Sequence, residues 1–280
     1  MSIQRTLLAL AVAATAFVPA LAFAQEHDTP QPPAQKWSFA GPFGKFDQAQ
    51  LQRGFKVYKE VCASCHSLNL VSFRNLAEPG GPGYSAAQAA AVAAEYKVQD
   101  GPNDAGEMFE RAGRPADFFP HPFPNDNAAR AANGGALPPD MSVLAKARTY
   151  ERGFPWFVFD IFTQYQEQGP DYIHAILMGY EEAPKGFALP PGAHYNKYFP
   201  GHAIGMPPPI SDGQVTYDDG SPQTIDQYGK DVSAFLMWTA EPHMMARKRL
   251  GLQVMIFLLV LTGLLYFTKK KVWKQVEHHA

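Results

Sequence analysis

Residues 46–66 read FDQAQLQRGFKVYKEVCASCH, an amphipathic segment that runs directly into two cysteines and a histidine. Apolar residues recur along it at the spacing of one helical face, which predicts a helix over Phe46–Glu60. The residues of that face are Phe46, Leu51, Phe55 and Tyr58. This helix ends just before the pattern Cys-x-x-Cys-His, and the chemistry of that pattern constrains the rest of the fold.

Cys62, Cys65 and His66 have the spacing of a covalent attachment site for c-type haem. Two cysteines on one turn can each form a thioether to a haem vinyl group, and the following histidine can bind the iron. A thioredoxin-like dithiol also uses Cys-x-x-Cys, but it needs a βαβ context, and the preceding segment is helical. A zinc site would need a second pair of ligands at matching spacing. We therefore predict one covalent haem c, with His66 as an axial ligand.

Met206 is the predicted second axial ligand, in the segment Gly205-Met206-Pro207-Pro208-Pro209. A residue before proline is extended, three prolines stiffen the loop, and Gly205 permits a close approach to a flat cofactor. His202 is the alternative ligand, and it would give a lower potential. Iron closed by histidine and methionine has no open position, which favours electron transfer over a catalytic or sensing haem with an exchangeable ligand.

Both ends of the chain carry apolar segments outside the haem domain. Arg5, an apolar run and Ala22-Phe23-Ala24 predict a cleaved signal peptide over residues 1–24. Near the C-terminus, Leu250–Thr268 contains 19 uncharged residues, which as a helix span roughly 28 Å, close to the hydrocarbon core of a bilayer. We expect an exported domain at 25–246, a single transmembrane anchor at 247–268 and a cytoplasmic tail at 269–280.

Charge is segregated between these parts. Residues 25–246 hold 16 Lys and Arg against 25 Asp and Glu, whereas residues 247–280 hold seven cations and one acid. An acidic exported domain argues against nucleic-acid binding. It suits a basic, mobile protein partner that is attracted by electrostatic steering.

The exported domain is predicted to be mainly α-helical. Beyond the first helix, the sequence predicts helices over Tyr172–Tyr180 and Asp231–Thr239, and a short Ala-rich helix over Ala86–Tyr96. Gly54 would allow the first helix to cross closely over the last. Four Pro- and Gly-rich stretches are predicted to form loops without long regular elements. They are Glu78–Gly83, Arg111–Pro124, Asn133–Asp140 and Leu189–Gly192.

Several further motifs occur in order before the C-terminal anchor. They comprise Phe43-Gly44-Lys45-Phe46-Asp47, Arg53-Gly54-Phe55, Val57-Tyr58, Val61-Cys62, Pro138-Pro139-Asp140, Met206-Pro207-Pro208 and Trp238-Thr239-Ala240-Glu241-Pro242. Over residues 37–275 the chain thereby resembles the cytochrome c1 family, in its bacterial form. This family provides the haem subunit of quinol–cytochrome c oxidoreductase (cytochrome bc1) complexes.

The resemblance implies a class I cytochrome c-like haem domain with long loop insertions. It places the axial pair on His66 and Met206. It also implies that the Pro139 carbonyl accepts a hydrogen bond from the His66 ring, which would orient the imidazole. Arg148 matches an arginine that meets a haem propionate, and Tyr172 matches a tyrosine of the haem environment.

The resemblance also implies the function and the partners. The chain would accept an electron from the Rieske iron–sulfur protein and pass it to a soluble c-type cytochrome, without catalysis of its own. Cytochrome b would be its constant partner in a dimeric complex, with the haem domain on the periplasmic side of the bacterial inner membrane. The alternative is a free-standing anchored cytochrome that serves an oxidase or a reaction centre. Candidate docking acids are Glu181, Glu182, Asp218 and Asp219.

The chain departs from some bacterial relatives in one respect. Those relatives have a second cysteine pair, which forms a disulfide near the ligand loop, whereas this chain has only Cys62 and Cys65. We expect aromatic packing to hold the loop here instead. The candidate residues are Phe187, Tyr195 and Phe199.

Overall fold

A computed structural model describes residues 29–150, 152–163 and 165–277. The predicted signal peptide at 1–24 lies outside these residues. The described chain is mainly helical, as the sequence predicts. Its helices are α1 (Gln48–Glu60), α2 (Ala86–Ala94), α3 (Asp126–Ala132), α4 (Leu144–Ala147), α5 (Gly153–Thr163), α6 (Gln168–Met178), α7 (Ile225–Ala240) and α8 (Met244–Glu277).

Two short antiparallel hairpins and two 3₁₀ turns complete the regular structure of the described residues. β1 (Lys97–Asp100) pairs with β2 (Phe109–Ala112), so that Lys97 lies opposite Ala112. β3 (His194–Tyr195) pairs with β4 (Ala203–Ile204), so that His194 lies opposite Ile204. The 3₁₀ turns cover Cys62–Ser64 and Phe73–Ala77. The sequence did not predict either hairpin, because the strands are short and lie among Pro- and Gly-rich segments.

Side-chain caps explain where the two main helices begin. The Asp47 carboxylate accepts hydrogen bonds from the backbone of Ala49 and Gln50, so α1 begins at Gln48 and Phe46 precedes it. Thr224 caps α7 in the same way, and this helix therefore begins at Ile225 rather than at the predicted Asp231. The predicted apolar face of α7 is confirmed as buried; it consists of Val232, Phe235, Leu236 and Thr239.

The predicted close crossing of the first and last helices of the domain is present at Gly54. A Cβ atom built on Gly54 would lie 2.1 Å from the carbonyl oxygen of Asp231 and 2.7 Å from the Cβ of Phe235. No side chain fits in that space. Beside the crossing, the rings of Phe55 and Tyr58 pack on the ring of Phe235, with centroids 5.7 and 5.9 Å apart. These aromatic contacts form the centre of the core.

A buried ion pair fixes the register of the crossing. Arg53 Nε donates to Asp231 Oδ2 at 2.9 Å, and its Nη2 donates to Asp231 Oδ1 at 3.2 Å. The Asp231 carboxylate is fully buried, so it depends on this partner. The remaining Arg53 nitrogen donates to Asp219 at 2.7 Å. A hydrogen bond from the Ser221 backbone, together with Arg53, lowers the pKa of Asp219 to about 2.

The C-terminal helix α8 fits a membrane anchor. Within the described chain, its segment Met244–Lys274 is long and apolar enough to cross a bilayer, and its most apolar stretch is wholly unburied. Polar contacts connect it to the domain. Lys248 Nζ donates to the carbonyl oxygens of Phe39 and Gly41, both at 2.6 Å. Glu241, just before the helix, pairs with Lys146 and with Arg247.

We predict that Gly54→Ala lowers the free energy of unfolding by at least about 2 kcal/mol, because the added methyl group overpacks the α1–α7 crossing. Urea unfolding of the full chain in detergent, followed by circular dichroism, measures this change. Gly251→Ala is the matched control, since a Cβ there meets nothing within 4 Å. Equal stability of the two variants would contradict the close packing of the crossing.

Candidate haem-binding site

The two cysteines lie on a tight turn at the end of α1. The backbone N–H groups of Cys65 and His66 both donate to the carbonyl oxygen of Cys62, at 3.1 and 2.9 Å. Both thiols are free and partly buried. The turn therefore presents two thiols and an imidazole from five consecutive residues, which is the donor set that covalent haem attachment requires.

The environment of Cys62 does not suit a redox dithiol. Burial, and next the neighbouring Cys65, raise the pKa of the Cys62 thiol to about 12. A reactive Cys-x-x-Cys cysteine needs the opposite shift, because the thiolate is the nucleophile. The residues before Cys62 form α1, as predicted, and not the strand of a thioredoxin-like unit. The helical context and the raised pKa both argue against a thioredoxin-like dithiol.

The imidazole of His66 is held in one orientation. It is buried, with 9% of its surface exposed, and its Nδ1 lies 2.8 Å from the Pro139 carbonyl oxygen. Because a carbonyl can only accept, Nδ1 carries the proton, and Nε2 keeps a free lone pair. Burial lowers the pKa of His66, and it outweighs the opposing effects of Pro139 and Asp140. The ring is therefore neutral at physiological pH, as a metal-ligating imidazole must be.

Asp140 connects the Pro138-Pro139 segment to the chain that follows His66. Its Oδ2 accepts hydrogen bonds from Ser67 Oγ at 2.9 Å and from the Asn69 backbone at 2.8 Å. Its Oδ1 accepts from the backbone of Ser142 at 2.9 Å. Burial alone would raise the pKa of Asp140, but these bonds outweigh it and hold the pKa below its usual value. Asp140 thus keeps the Pro139 carbonyl in place against the His66 ring.

The Met206 loop lies beside the same segment. A Cβ atom built on Gly205 would lie 3.1 Å from the Cβ of Ala136. Ala136 belongs to the loop that also contains Pro139. Tyr180 Oη donates to the Met206 carbonyl oxygen at 3.0 Å. Met206 is partly buried. The fold therefore brings the loop of the predicted sixth ligand next to the loop that orients His66.

His202, the alternative ligand, is held within an aromatic cluster. Its ring stacks on Tyr195 with centroids 5.3 Å apart, and Phe187 packs edge-on against Tyr195 at 5.2 Å. His202 Nδ1 also lies 3.2 Å from the Asn196 carbonyl oxygen. Two of the three aromatic residues expected to hold the loop belong to this cluster. The third, Phe199, contributes its carbonyl oxygen, which accepts from the His202 backbone.

Arg148 and Tyr172 are neighbours at one edge of the domain. Burial raises the pKa of Tyr172, and the nearby positive charge of Arg148 lowers it. Arg148 is exposed and donates to the Ala147 carbonyl oxygen at 3.4 Å. Helices α4 and α6 approach closely and bring Arg148 and Tyr172 together. A Cβ atom built on Gly169 would lie 1.7 Å from the Ala145 carbonyl oxygen.

The residues present fit a haem c. The thiols at the end of α1, the neutral imidazole with its free Nε2 and a thioether on a stiff loop match the donors that such a group takes. Within the described ranges, no group of three or more His, Cys, Asp and Glu side chains is arranged to hold a metal ion directly. The contacts of Asp140 with Ser67 and of Tyr180 with the Met206 backbone were not predicted, because the partners are distant in sequence.

Comparison with known proteins gives consistent matches. Residues 37–276 match the model of the Cytochrome C1 family. The chain is 68% identical over 268 residues to the cytochrome b/c1 protein of Bradyrhizobium diazoefficiens, covering 95% of this chain but 39% of that protein. It is 54% identical over 265 residues to cytochrome c1 of Blastochloris viridis, covering 94% and 93% of the two chains. Against cytochrome c1 of Rhodospirillum rubrum the identity is 45% over 260 residues, covering 87% and 88%.

We predict that Asp140→Asn destabilises the protein by about 1–3 kcal/mol at neutral pH, because partly buried donors lose a charged acceptor. The pKa of Asp140 is lowered in the folded state. Its contribution to stability is therefore fully present at pH values above its ordinary pKa, and it is lost as the pH falls through its folded-state pKa. The difference in stability between the two proteins should therefore shrink as the pH is lowered below about 4.

Unfolding curves at a series of pH values check this, with Asp104→Asn as the control. Asp104 is an exposed loop residue, so its replacement should change little. A destabilisation by Asp140→Asn that is the same at every pH would contradict the role of the ionised carboxylate.

Proposed function

Because the chain belongs to the Cytochrome C1 family, we propose that it accepts one electron from a Rieske iron–sulfur protein and passes it to a soluble c-type cytochrome. It does so as the haem subunit of a quinol–cytochrome c oxidoreductase (bc1) complex. The observation that carries the proposal is the His66 ring, fixed by Pro139 with Nε2 free, immediately after the cysteine turn.

Cys62 and Cys65 would hold one haem c covalently, and His66 Nε2 and Met206 Sδ would bind its iron. When bound, this group supplies a one-electron Fe(III)/Fe(II) couple, and thioether ligation raises its potential. The hydrogen bond from His66 Nδ1 to Pro139 orients the imidazole and makes it a stronger donor. Tyr180 holds the backbone of Met206, which limits the movement of the sulfur.

Arg148 and Tyr172 belong to the haem environment in this proposal. Their proximity supports this assignment, because a cation and a phenol together suit a propionate carboxylate. The exposure of Arg148 leaves its guanidinium available for such a partner.

The acceptor meets the domain near the Met206 loop. Glu181 and Glu182 line an open cleft of about 470 Å³, together with Tyr180 and Pro208. Two acids beside the ligand loop suit a basic soluble c-type cytochrome. Asp219 is a weaker docking candidate than the sequence suggested, because it is paired with Arg53.

The membrane partner is cytochrome b, in a dimeric complex. The name of the Bradyrhizobium relative, cytochrome b/c1, supports this partner. The signal peptide at 1–24 exports residues 25–246 to the periplasmic side of the bacterial inner membrane. The anchor at 247–268 crosses that membrane once and leaves residues 269–280 in the cytoplasm.

We predict that Met206→Leu keeps the covalent haem but lowers its reduction potential by on the order of 100 mV, because the thioether that favours reduced iron is lost. Redox titration of the full chain measures the shift. Met178→Leu, at the partly exposed end of α6, is the control and should leave the potential unchanged. An unchanged potential in Met206→Leu would move the sixth ligand elsewhere, with His202 next in line.

We predict that the chain, purified gently from its own membranes, brings b-type haem absorption bands with it. A quinol should reduce its c-type haem, and an inhibitor of the Rieske site should block that reduction. Optical spectra before and after the addition of quinol measure both effects. A c-type band alone, reduced by quinol no faster than background, would favour the free-standing anchored cytochrome instead.

A further inference from the structure

Helix α5 exposes a set of aromatic side chains that the haem site does not use. The exposed fractions range from 52% to 82%. These residues are Phe154, Trp156, Phe157, Phe159 and Phe162. Together they expose on the order of 600 Å² of apolar surface, the upper end of the largest patch on an ordinary monomeric protein. A surface of this size on a short helix indicates an apolar environment that the rest of the domain does not provide.

The acidic residue of α5, Asp160, is paired with residues that flank the helix. Arg152 pairs with Asp160 at 2.5 Å, and its guanidinium lies 5.0 Å from the centroid of the Tyr165 ring. Gln168 also donates to Asp160, at 3.5 Å. The Arg152 guanidinium also lies 5.5 Å from the centroid of the Trp156 ring. The charges of the segment therefore neutralise one another, while its aromatic rings stay exposed. A segment with paired charges and exposed aromatic rings suits a membrane interface.

A chain of contacts connects α5 to the base of the membrane anchor. Tyr165 donates to the buried Asp171, which also accepts from Trp37 Nε1 at 2.8 Å. Trp37 stacks on Phe39 with centroids 5.4 Å apart, and Lys248 of α8 donates to the Phe39 carbonyl oxygen.

A second connection leads through Glu167, which follows α5. Burial raises the pKa of Glu167, whereas the nearby charge of Lys248 lowers it. Both routes place α5 at the end of the domain where α8 enters the membrane.

We propose that α5 lies in the headgroup region of the bilayer that α8 spans, as a second, interfacial attachment of the domain. Aromatic side chains are favoured at this depth, because their rings suit the boundary between water and hydrocarbon. The cations Arg247, Lys248 and Arg249 come directly before the apolar stretch of α8 and mark the point where the chain enters the membrane. Two attachments, one spanning and one interfacial, restrict the tilt of the haem domain over the membrane.

The proposal rests on the anchor but not on the haem assignment, and site-directed labelling tests it. Phe157→Cys, labelled with an environment-sensitive fluorophore, is reconstituted as the full haem-loaded chain in phospholipid vesicles. The unsubstituted chain, treated in parallel, gives the background from Cys62 and Cys65. Met108→Cys, exposed near the β1–β2 hairpin, is the control on the domain surface, and Leu258→Cys is the control within α8.

We expect lipids brominated near the headgroup to quench most of the fluorescence at position 157 and little at position 108. Lipids brominated near the chain ends should quench the label at position 258 most. If only the label at 258 is quenched and aqueous iodide quenches the label at 157, α5 faces water and the proposal is wrong. No quenching at 258 would show instead that the anchor assignment has failed.

The same labelled variants, studied in the purified complex, distinguish contact of α5 with lipid from contact with another protein subunit. Quenching at 157 by brominated lipid in the complex supports the interfacial position. Protection of this label from both brominated lipid and iodide would show that another subunit covers α5, and would overturn the proposal.

Discussion

The close approach of α1 and α7 at Gly54 is the constraint on which the rest of the domain depends. With no Cβ at this position, the two backbones come within a distance that no side chain could occupy. The crossing buries the aromatic core and requires Arg53 to neutralise the buried Asp231. It also positions α1, whose end leads directly into the cysteine turn and His66.

Hydrogen bonds to the loop that contains Pro139 and Asp140 hold His66 in place. The Pro139 carbonyl oxygen fixes the ring, and Asp140 fixes Pro139 through hydrogen bonds to the chain just after His66. The contact between Gly205 and Ala136 then places the Met206 loop against the same support. The loop that contains Ala136 and Pro139 thus contacts the segments of both predicted axial ligands, which suits a site that exchanges electrons with little rearrangement.

The anchor is connected to the domain by polar contacts rather than by a flexible linker. Glu241 joins α4 to the junction of α7 and α8, and Lys248 binds the backbone of the N-terminal segment. Charged groups held at a membrane surface favour a defined orientation, because each must remain paired or hydrated. The aromatic face of α5, connected to the same junction, extends this orientation to the lipid surface.

The sequence alone determined the features that depend on local spacing. These are the helix before the cysteines, the cysteine turn and the apolar anchor, since each depends on residues that are near neighbours in the chain. Only the tertiary structure decided which distant groups meet. The contacts of Asp140 with Ser67 and of Tyr180 with the Met206 backbone join segments whose pairing no local pattern encodes. The β1–β2 hairpin was likewise decided by the tertiary structure. So was the exposure of α5, because an apolar run has the same pattern whether it meets a core or a membrane.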